Sequence, residues 1–362
     1  MNAAALDARV LAAIATYALD DGAFLALARD LVAYQLARNA PYAAFAAARG
    51  VDPAHLPARL EDIPAVPAAA FKEARLATFP PGETALWFET SGTSAGGRSG
   101  RHELPTGRLY EAALLASFDR MLLADGARLR YLNLVPDPAR RPHSSLGHMM
   151  ATVARERGDG RTGWYLDDEA LDAERFVRDV ERARAEGAAV CVATTAFALV
   201  ALLDALAARG AMPALPPGSR IMETGGFKGR SRVVARADLY REAAARLGVP
   251  TAAIVAEYGM TELSSQYYDA PAGRERIEPR IKLPPPWLRP LVVDGEGRPL
   301  PPGVVGAIRH LDLANRGSVI AIETEDLGAL AGDGLVLLGR EQGAELRGCS
   351  LDAESLLARA RP

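Results

Sequence analysis

The chain reads as an α/β protein, a largely parallel sheet flanked by helices and followed by a smaller β-rich subdomain, and three observations predict this. Between residues 85 and 259 short apolar runs (132–135, 189–193 and 252–256) alternate with longer helix-like segments, the pattern of successive βα units. After Pro284 the apolar runs (291–293, 307–311, 320–322 and 335–338) follow one another closely and are punctuated by Gly and Asp, as in an antiparallel sheet. Ahead of both, residues 3–50 carry Ala and larger apolar residues at helical spacing.

Taken in order, the opening stretch predicts two or three amphipathic helices broken by Gly22 and Pro41. Residues 51–67 contain Pro53, Pro57, Pro64 and Pro67 and read as a connector laid over the surface. The uncharged stretch 188–203 is shorter than the roughly 20 apolar residues of a membrane span and contains Thr194 and Thr195, so it predicts a buried strand followed by a Thr-capped helix. The resulting division is a helical segment at 1–70, an α/β core at 71–283, a β-rich subdomain at 284–338, and a short final segment at 339–362. No internal repeat is present.

Composition narrows the function. The 362 residues are 49% hydrophobic and 24% charged, ordinary for a folded soluble protein with a sizeable core. A net charge of -3 and short Arg-rich stretches at 139–143 and 181–184 give no broad attraction for nucleic acid. The two cysteines, Cys191 and Cys349, make no disulfide framework and fit no zinc spacing, which suits a reducing cytoplasm. Asp7 ahead of Arg9 is unlike the basic start of a secretory signal, so the sequence reads as mature protein.

Two segments carry chemistry. Residues 89–99, Glu-Thr-Ser-Gly-Thr-Ser-Ala-Gly-Gly-Arg-Ser, follow an apolar run. Their glycines let backbone N–H groups converge on an anion, while Ser and Thr hydroxyls add donors to the same oxygens. A flexible surface loop is the bland alternative; a Walker-type loop is disfavoured because the Gly-Lys-Ser/Thr ending is missing. The second segment, Glu257-Tyr258-Gly259-Met260-Thr261-Glu262, follows a strand-like run, where the carboxyl edge of a sheet presents ligand sites. There a Glu beside a Thr suits Mg²⁺ and a phosphate oxygen, and a Tyr offers a flat face to a base. An ordinary strand-to-helix turn capped by Thr261 is the alternative.

Together these segments resemble the adenylate-forming superfamily of acyl and aryl ligases, whose marks are a Ser/Thr/Gly phosphate loop and a later Tyr-Gly-x-Thr-Glu. Two further matches follow in order: Thr324-Glu325-Asp326-Leu327-Gly328 resembles the segment whose Asp grips the ribose, and Gly339-Arg340 resembles the hinge that ends the large domain. The resemblance is nearest to the acyl-protein synthetase branch, the fatty-acid ligase of bacterial bioluminescence and its relatives. Three features carry this: residues 223–230, Glu-Thr-Gly-Gly-Phe-Lys-Gly-Arg, are similar to that branch's Gly-Gly turn, the wording Tyr-Gly-Met-Thr-Glu-Leu is similar, and the sequence ends soon after Gly339-Arg340. It covers the chain from about Phe71 onward. It implies an adenylate-forming large domain with layered parallel sheets and a smaller β-rich subdomain, without the full mobile C-terminal domain.

The resemblance also implies roles. Ser91, Gly92, Thr93, Ser94 and Arg98 would hold the triphosphate of ATP, with Arg98 standing where a Lys is usual. Thr261 would contact the α-phosphate and Glu262 would carry Mg²⁺; Tyr258 and Gly259 would lie beside the adenine, which Gly225 and Gly226 let approach. Asp326 and Arg340 would bracket the ribose, and His148, within Ser-Ser-Leu-Gly-His-Met-Met, would orient the carboxylate unless it is a structural histidine. With the C-terminal domain that brings a catalytic Lys not expected, Lys228 is the candidate for charge neutralisation among three lysines; the alternative is a solvated helix-start residue. Cys349, near Arg347, would accept the acyl group, whereas Cys191 in an apolar run reads as core.

The expected function is therefore ATP- and Mg²⁺-dependent activation of a carboxylic acid, then acyl transfer to a thiol, either Cys349 or one on a partner protein. Two alternatives stand beside it: a ligase acylating coenzyme A or a carrier protein without Cys349, and a nucleotide-binding scaffold subunit of an acyl reductase complex. Apolar residues near Met149, Met150 and Phe227 favour a hydrophobic acid.

Overall fold

The computed structural model describes residues 2–90, 99–167, 170–225, 235–275 and 278–340. Along the chain come α1 (Ala3–Thr16), α2 (Asp21–Leu36), α3 (Ala40–Ala47), β1 (Val66–Pro67), α4 (Ala70–Glu73), β2 (Leu86–Glu89), β3 (Arg101–Leu104), α5 (Arg108–Leu122), β4 (Leu129–Leu134), α6 (Ser145–Arg157), β5 (Gly158–Trp164), β6 (Leu166–Asp167), β7 (Ala170–Leu171) and α7 (Ala173–Ala185). Then follow β8 (Val190–Thr195), α8 (Ala196–Ala208), β9 (Arg220–Thr224), α9 (Arg236–Leu247), β10 (Ile254–Tyr258), β11 (Tyr267–Tyr268), β12 (Ile281–Lys282), β13 (Leu288–Val293), β14 (Gly306–Asp312), β15 (Ala321–Ala331) and β16 (Gly334–Arg340). The α/β class expected from the alternation is the class observed.

The chain folds as two compact units that do not follow its order. One gathers Met1–Ala116, Met260–Gln266 and Ile281–Pro362, the other Ser117–Gly259 and Tyr267–Arg280.

The second unit is built on a six-stranded sheet in the order β11-β10-β9-β8-β4-β5, parallel except for β11. One face of it packs into a core in which Leu132, Val192, Ile221 and Ile254 meet Phe176 of α7, Leu199 and Leu203 of α8, and Tyr240 of α9. Helix α7 buries Phe176, Val180 and Ala183, one stripe at helical spacing. Thr195 ends β8 and caps α8, its side chain accepting from the Ala198 N–H at 3.1 Å, so the strand and Thr-capped helix expected at 188–203 are both present. Strand β4 starts earlier than its apolar run because Arg130 interrupts the pattern. That buried guanidinium is neutralised by Asp159 at 3.0 Å and Glu186 at 2.7 Å, which lets it occupy a strand interior.

The first unit holds the antiparallel sheet β12-β16-β15-β14-β13, with β1 added in parallel alongside β15. Residues 51–67 are therefore more than a surface connector: the chain ends that stretch as a buried strand, Val66 opposite Ile322 and Pro67 opposite Glu323. Two edge-strand residues suffice, and Pro67 is tolerated because β1 lies off the main path of the sheet. The opening stretch forms three helices. Gly22 does not break them; it lies in the first turn of α2 behind the Asp20 cap, and the break falls at Tyr17, whose φ of 48° ends α1 in the left-handed conformation. These helices join the β-rich part through buried polar bonds. The fully buried Gln35 donates to the Asn315 carbonyl at 3.0 Å and accepts from the Ile320 N–H at 3.2 Å, while Arg316 meets Asp7 at 2.7 Å. Among the described residues no helix is long and apolar enough to cross a membrane.

Candidate active site

In the second unit the parallel register places strand ends together. Glu257 of β10 lies opposite Thr224 of β9, so Thr224-Gly225 and Glu257-Tyr258 emerge side by side at the carboxyl edge of the sheet. The Thr224 hydroxyl donates to the Glu257 carboxylate, and both groups are buried. Gly225 takes a φ of 76°, a left-handed value suited to glycine, and among the described residues nothing lies within 4 Å of where a Cβ would project. Its carbonyl accepts from Arg236 at 3.0 Å. The half-buried Tyr258 ring lies 5.6 Å from that of Tyr267, tilted by 43°. Gly225 and Tyr258, separated by more than thirty residues of sequence, are thus brought to adjacent strand ends.

His148 lies on α6, the helix that follows β4 in the chain, and β4 is two strands from β9 in the sheet. It sits in the first turns of α6, half-buried, where Ser144 caps the helix and Gly147 approaches the Pro136 carbonyl so closely that a Cβ would lie 2.5 Å from it. At about 4.8 Å per strand, β4 and β9 are roughly 10 Å apart.

Gly259 closes the second unit's share of the motif, and Met260 to Gln266 belong to the first. No helix starts at Thr261: the chain turns there, with the Leu263 N–H reaching the Met260 carbonyl at 3.1 Å. The turn is held by side chains. Nδ1 of His102 lies 2.8 Å from the Thr261 carbonyl oxygen, and Asn315 donates to the Glu262 carbonyl at 2.8 Å. Asp312 accepts from the Ser264 N–H at 2.9 Å and the Ser265 hydroxyl at 2.8 Å, and the Trp287 indole donates to that same hydroxyl at 3.0 Å. Burial pushes the Asp312 carboxyl up to about 6 in spite of those donors, and pushes the buried His102 ring down to about 4.

His102 stands on β3, opposite Phe88 of β2. In sequence the Ser/Thr/Gly segment falls between these two strands; Ser91, Gly92, Thr93, Ser94 and Arg98 lie outside the described residues, as do Gly226, Lys228 and Cys349. Asp326 and Arg340 are cross-strand partners in β15 and β16, next to a bulge at Leu327 and Gly328. Gly328 is required there, since a Cβ would fall 2.6 Å from the Val336 carbonyl oxygen.

Among the described residues no group of three or more His, Cys, Asp or Glu is gathered to hold a metal. Magnesium arriving with nucleotide phosphates needs only one or two carboxylates, water and phosphate oxygens filling the rest of its octahedron, so a lone carboxylate such as that of Glu262 would suffice. Cys191 is fully buried in β8, where desolvation pushes its thiol up to about 12, so it is core and not a nucleophile. A cleft of about 530 Å³ along β5 and α7 is lined by Arg130, Arg161, Arg175, Arg178 and Arg182, and by none of the candidates above. Sequence reasoning assigned no role to His102, Asp312 and Asn315. Each is distant in sequence from the segment it holds, and no local pattern marks it.

A profile of the acyl-protein synthetase, LuxE, family matches residues 23–357. MatB from Rhodopseudomonas palustris, solved with ATP bound, is similar with a TM-score of 0.51 at 20% identity, over 73% of this chain and 49% of its own. The amide bond synthetase McbA from Marinactinospora thermotolerans gives 0.51 at 22% identity, over 72% and 49%. McyG A-PCP complexed with phenylalanyl-adenylate gives 0.51 at 18%, over 74% and 49%. At such identities the likeness is one of fold, and the chain spans about half the length of these structures. A search of curated proteins gives no match.

Proposed function

The chain belongs to the acyl-protein synthetase, LuxE, family, and from that premise we propose that it activates a carboxylic acid with ATP and Mg²⁺ and passes the acyl group to a thiol. The observation that carries this reading is the parallel register that sets Thr224-Gly225 beside Glu257-Tyr258 at the carboxyl edge of a parallel sheet, the edge outside which ligands bind in open α/β folds.

In the first step a carboxylate oxygen attacks the α-phosphorus of ATP, the bond to the bridging oxygen breaks, and pyrophosphate leaves. Both partners are anionic, so the chain has to supply positive charge and N–H donors where negative charge builds up. Ser91, Gly92, Thr93, Ser94 and Arg98 are assigned to the triphosphate, Thr261 to the α-phosphate, and Glu262 to Mg²⁺, which shields the departing pyrophosphate. Tyr258, Gly259, Gly225 and Gly226 are assigned to the adenine, and Asp326 and Arg340 to the ribose. The cross-strand pairing of the last two supports their joint assignment. Lys228 neutralises charge during adenylation and His148 orients the acid; its helix, α6, follows β4, two strands from β9 in the same sheet.

In the second step a thiolate attacks the acyl carbon and AMP leaves with the bonding electrons. Cys349 is the proposed acceptor, passing its acyl group on to a partner protein, in a cytoplasmic setting. The acid is proposed to be hydrophobic, since Met149 and Met150 are buried on α6 next to His148.

Acid-dependent ATP–pyrophosphate exchange across fatty, aryl and amino acids, with K228A and E262A beside the wild type, tests the first step. Exchange with at least one acid, lost in both variants, is the expected result; exchange surviving K228A removes that lysine from the mechanism. No exchange with any acid, despite ATP binding, transfers the reading to a nucleotide-binding scaffold. Retention of labelled acyl group by the wild type but not by C349A tests the second step, and coenzyme A or a carrier protein acylated equally by C349A would displace the Cys349 intermediate.

A further inference from the structure

The hairpin of β2 and β3 is closed at its neck by two bonds between the same residues: the Thr90 N–H reaches the Gly100 carbonyl at 3.0 Å, and the Gly100 N–H reaches the Thr90 hydroxyl at 2.9 Å. Two residues further along β3 the His102 ring is fully buried. It is fixed from two sides. Phe71 meets it edge-on, with ring centroids 5.7 Å apart, and Gly100 sits so close to the Phe71 carbonyl that a Cβ would lie 2.4 Å from that oxygen. The second contact is at Nδ1, which lies 2.8 Å from the Thr261 carbonyl oxygen. A carbonyl oxygen only accepts, so Nδ1 carries the hydrogen and Nε2 carries the lone pair. That Nε2 is buried with no hydrogen-bond partner among the described residues.

A buried imidazole with one nitrogen unsatisfied is a costly way to satisfy a single carbonyl, because the lone pair on Nε2 is stripped of water without replacement. The cost is accepted where the position of the carbonyl matters. Here the carbonyl belongs to Thr261, and the next carbonyl, of Glu262, is held separately by Asn315 at 2.8 Å. We propose that His102 is a positioning residue: by donating Nδ1–H to the Thr261 carbonyl it fixes the Thr261–Glu262 turn against β3, and so aligns that turn for adenylation. The inference rests on the adenylation reading above, which gives that turn to ATP and Mg²⁺. Desolvation holds the ring well below its ordinary range, at about 4, so it stays neutral and keeps the same tautomer at any ordinary assay pH.

The test uses the full chain with His102→Asn, His102→Gln and His102→Leu. Asn places an amide nitrogen near the position of Nδ1, whereas Gln reaches to that of Nε2, so two polar residues separate the bond to Thr261 from mere polarity. Three quantities are read for each: kcat and KM for ATP in pyrophosphate exchange, the rate of acyl transfer from supplied acyl-adenylate, and the melting temperature. The Leu and Gln variants are expected to lose about 10- to 100-fold in exchange kcat, the scale of an ångström-sized misplacement of a reacting group. Their KM for ATP and their transfer from supplied adenylate stay within about threefold of wild type, and Asn restores most of the exchange. Equal losses in exchange and transfer that track a lowered melting temperature would mean a purely structural histidine and overturn the proposal. So would Gln performing as well as Asn, a comparison that holds even if the Leu variant does not fold. A wild type that exchanges normally beside an equally active Leu variant overturns the positioning role alone, whereas a wild type without exchange overturns the adenylation reading and this inference with it.

Discussion

Buried titratable side chains set how this protein responds to acid. His102 and His310 are fully buried, and desolvation lowers them from 6.5 to about 4 and about 3. The unfolded chain protonates both below 6.5 while the folded one does not, so their stability is present above pH 6.5 and is lost as the pH falls toward 4. Asp312 acts in the opposite sense. Its carboxyl is raised from 3.8 to about 6, so the stability it contributes is present below 3.8 and is lost as the pH rises through 6. At about 1.4 kcal/mol per unit each group is worth on the order of 3 kcal/mol over that window, and two histidines outweigh one aspartate. The melting temperature is therefore expected to fall between pH 6.5 and 4, and to fall much less in H102N, where His310 and Asp312 nearly offset each other. A thermal melt series in pH steps checks this; an unchanged slope in H102N would mean that the ring is not buried neutral.

At the scale of elements, two local devices determine how segments meet. The Thr195 cap joins β8 to α8, and Thr195→Ala should cost about 1 kcal/mol, seen as a lower urea midpoint at unchanged slope. The β2–β3 hairpin depends on the absence of a side chain at Gly100. Gly100→Ala forces a methyl group against the Phe71 carbonyl and should cost about 1–3 kcal/mol, with exchange activity falling as the hairpin shifts. The second unit's six-stranded sheet has its own logic: Thr224, which ends β9, and Glu257, one residue before the end of β10, form a buried hydroxyl–carboxylate bond next to Gly225 and Tyr258. Thr224→Val leaves the Glu257 carboxylate without that donor and should weaken ATP binding as well as stability by about 1–3 kcal/mol; isothermal titration with ATP distinguishes the two effects.

At the scale of the whole molecule, the first unit is assembled from three stretches of chain, and α1 and α2 are part of its core. Deleting residues 1–47 removes Gln35 and Asp7, leaving the backbone at Asn315 and Ile320 and the Arg316 guanidinium without their buried partners. The truncated chain is expected to be insoluble or to lose its cooperative melt, because each orphaned buried polar group costs about 1–3 kcal/mol against a total of only 5–15. ATP with Mg²⁺ is expected to raise the melting temperature of the intact protein, by a margin of about 2.7 kcal/mol in stability at a hundredfold excess over Kd. Removing Mg²⁺ with a chelator should abolish exchange, and a chelator-insensitive rate would remove Glu262 from its assigned role.

Periodicity and turn chemistry are local properties, so the sequence by itself determined the α/β class, the apolar runs that became β4, β8, β10 and β13 to β16, the cap at Thr195, and the segments 89–99 and 257–262 that point to nucleotide chemistry. What it missed is non-local. Gly22 breaks no helix because Asp20 ahead of it already starts one, and Pro67 is a strand residue only because Glu323, far along the chain, pairs with it. Arg130 hides the start of a strand until Asp159 and Glu186 arrive to neutralise it. The same holds at the candidate site. That Gly225 and Tyr258 are neighbours follows from strand order, and that His102, Asp312 and Asn315 hold the 260–266 turn follows from contacts between residues up to 159 positions apart. Hydrogen bonds and ion pairs of that span leave no period in the sequence; they exist only once burial has removed water and the fold has brought donor to acceptor.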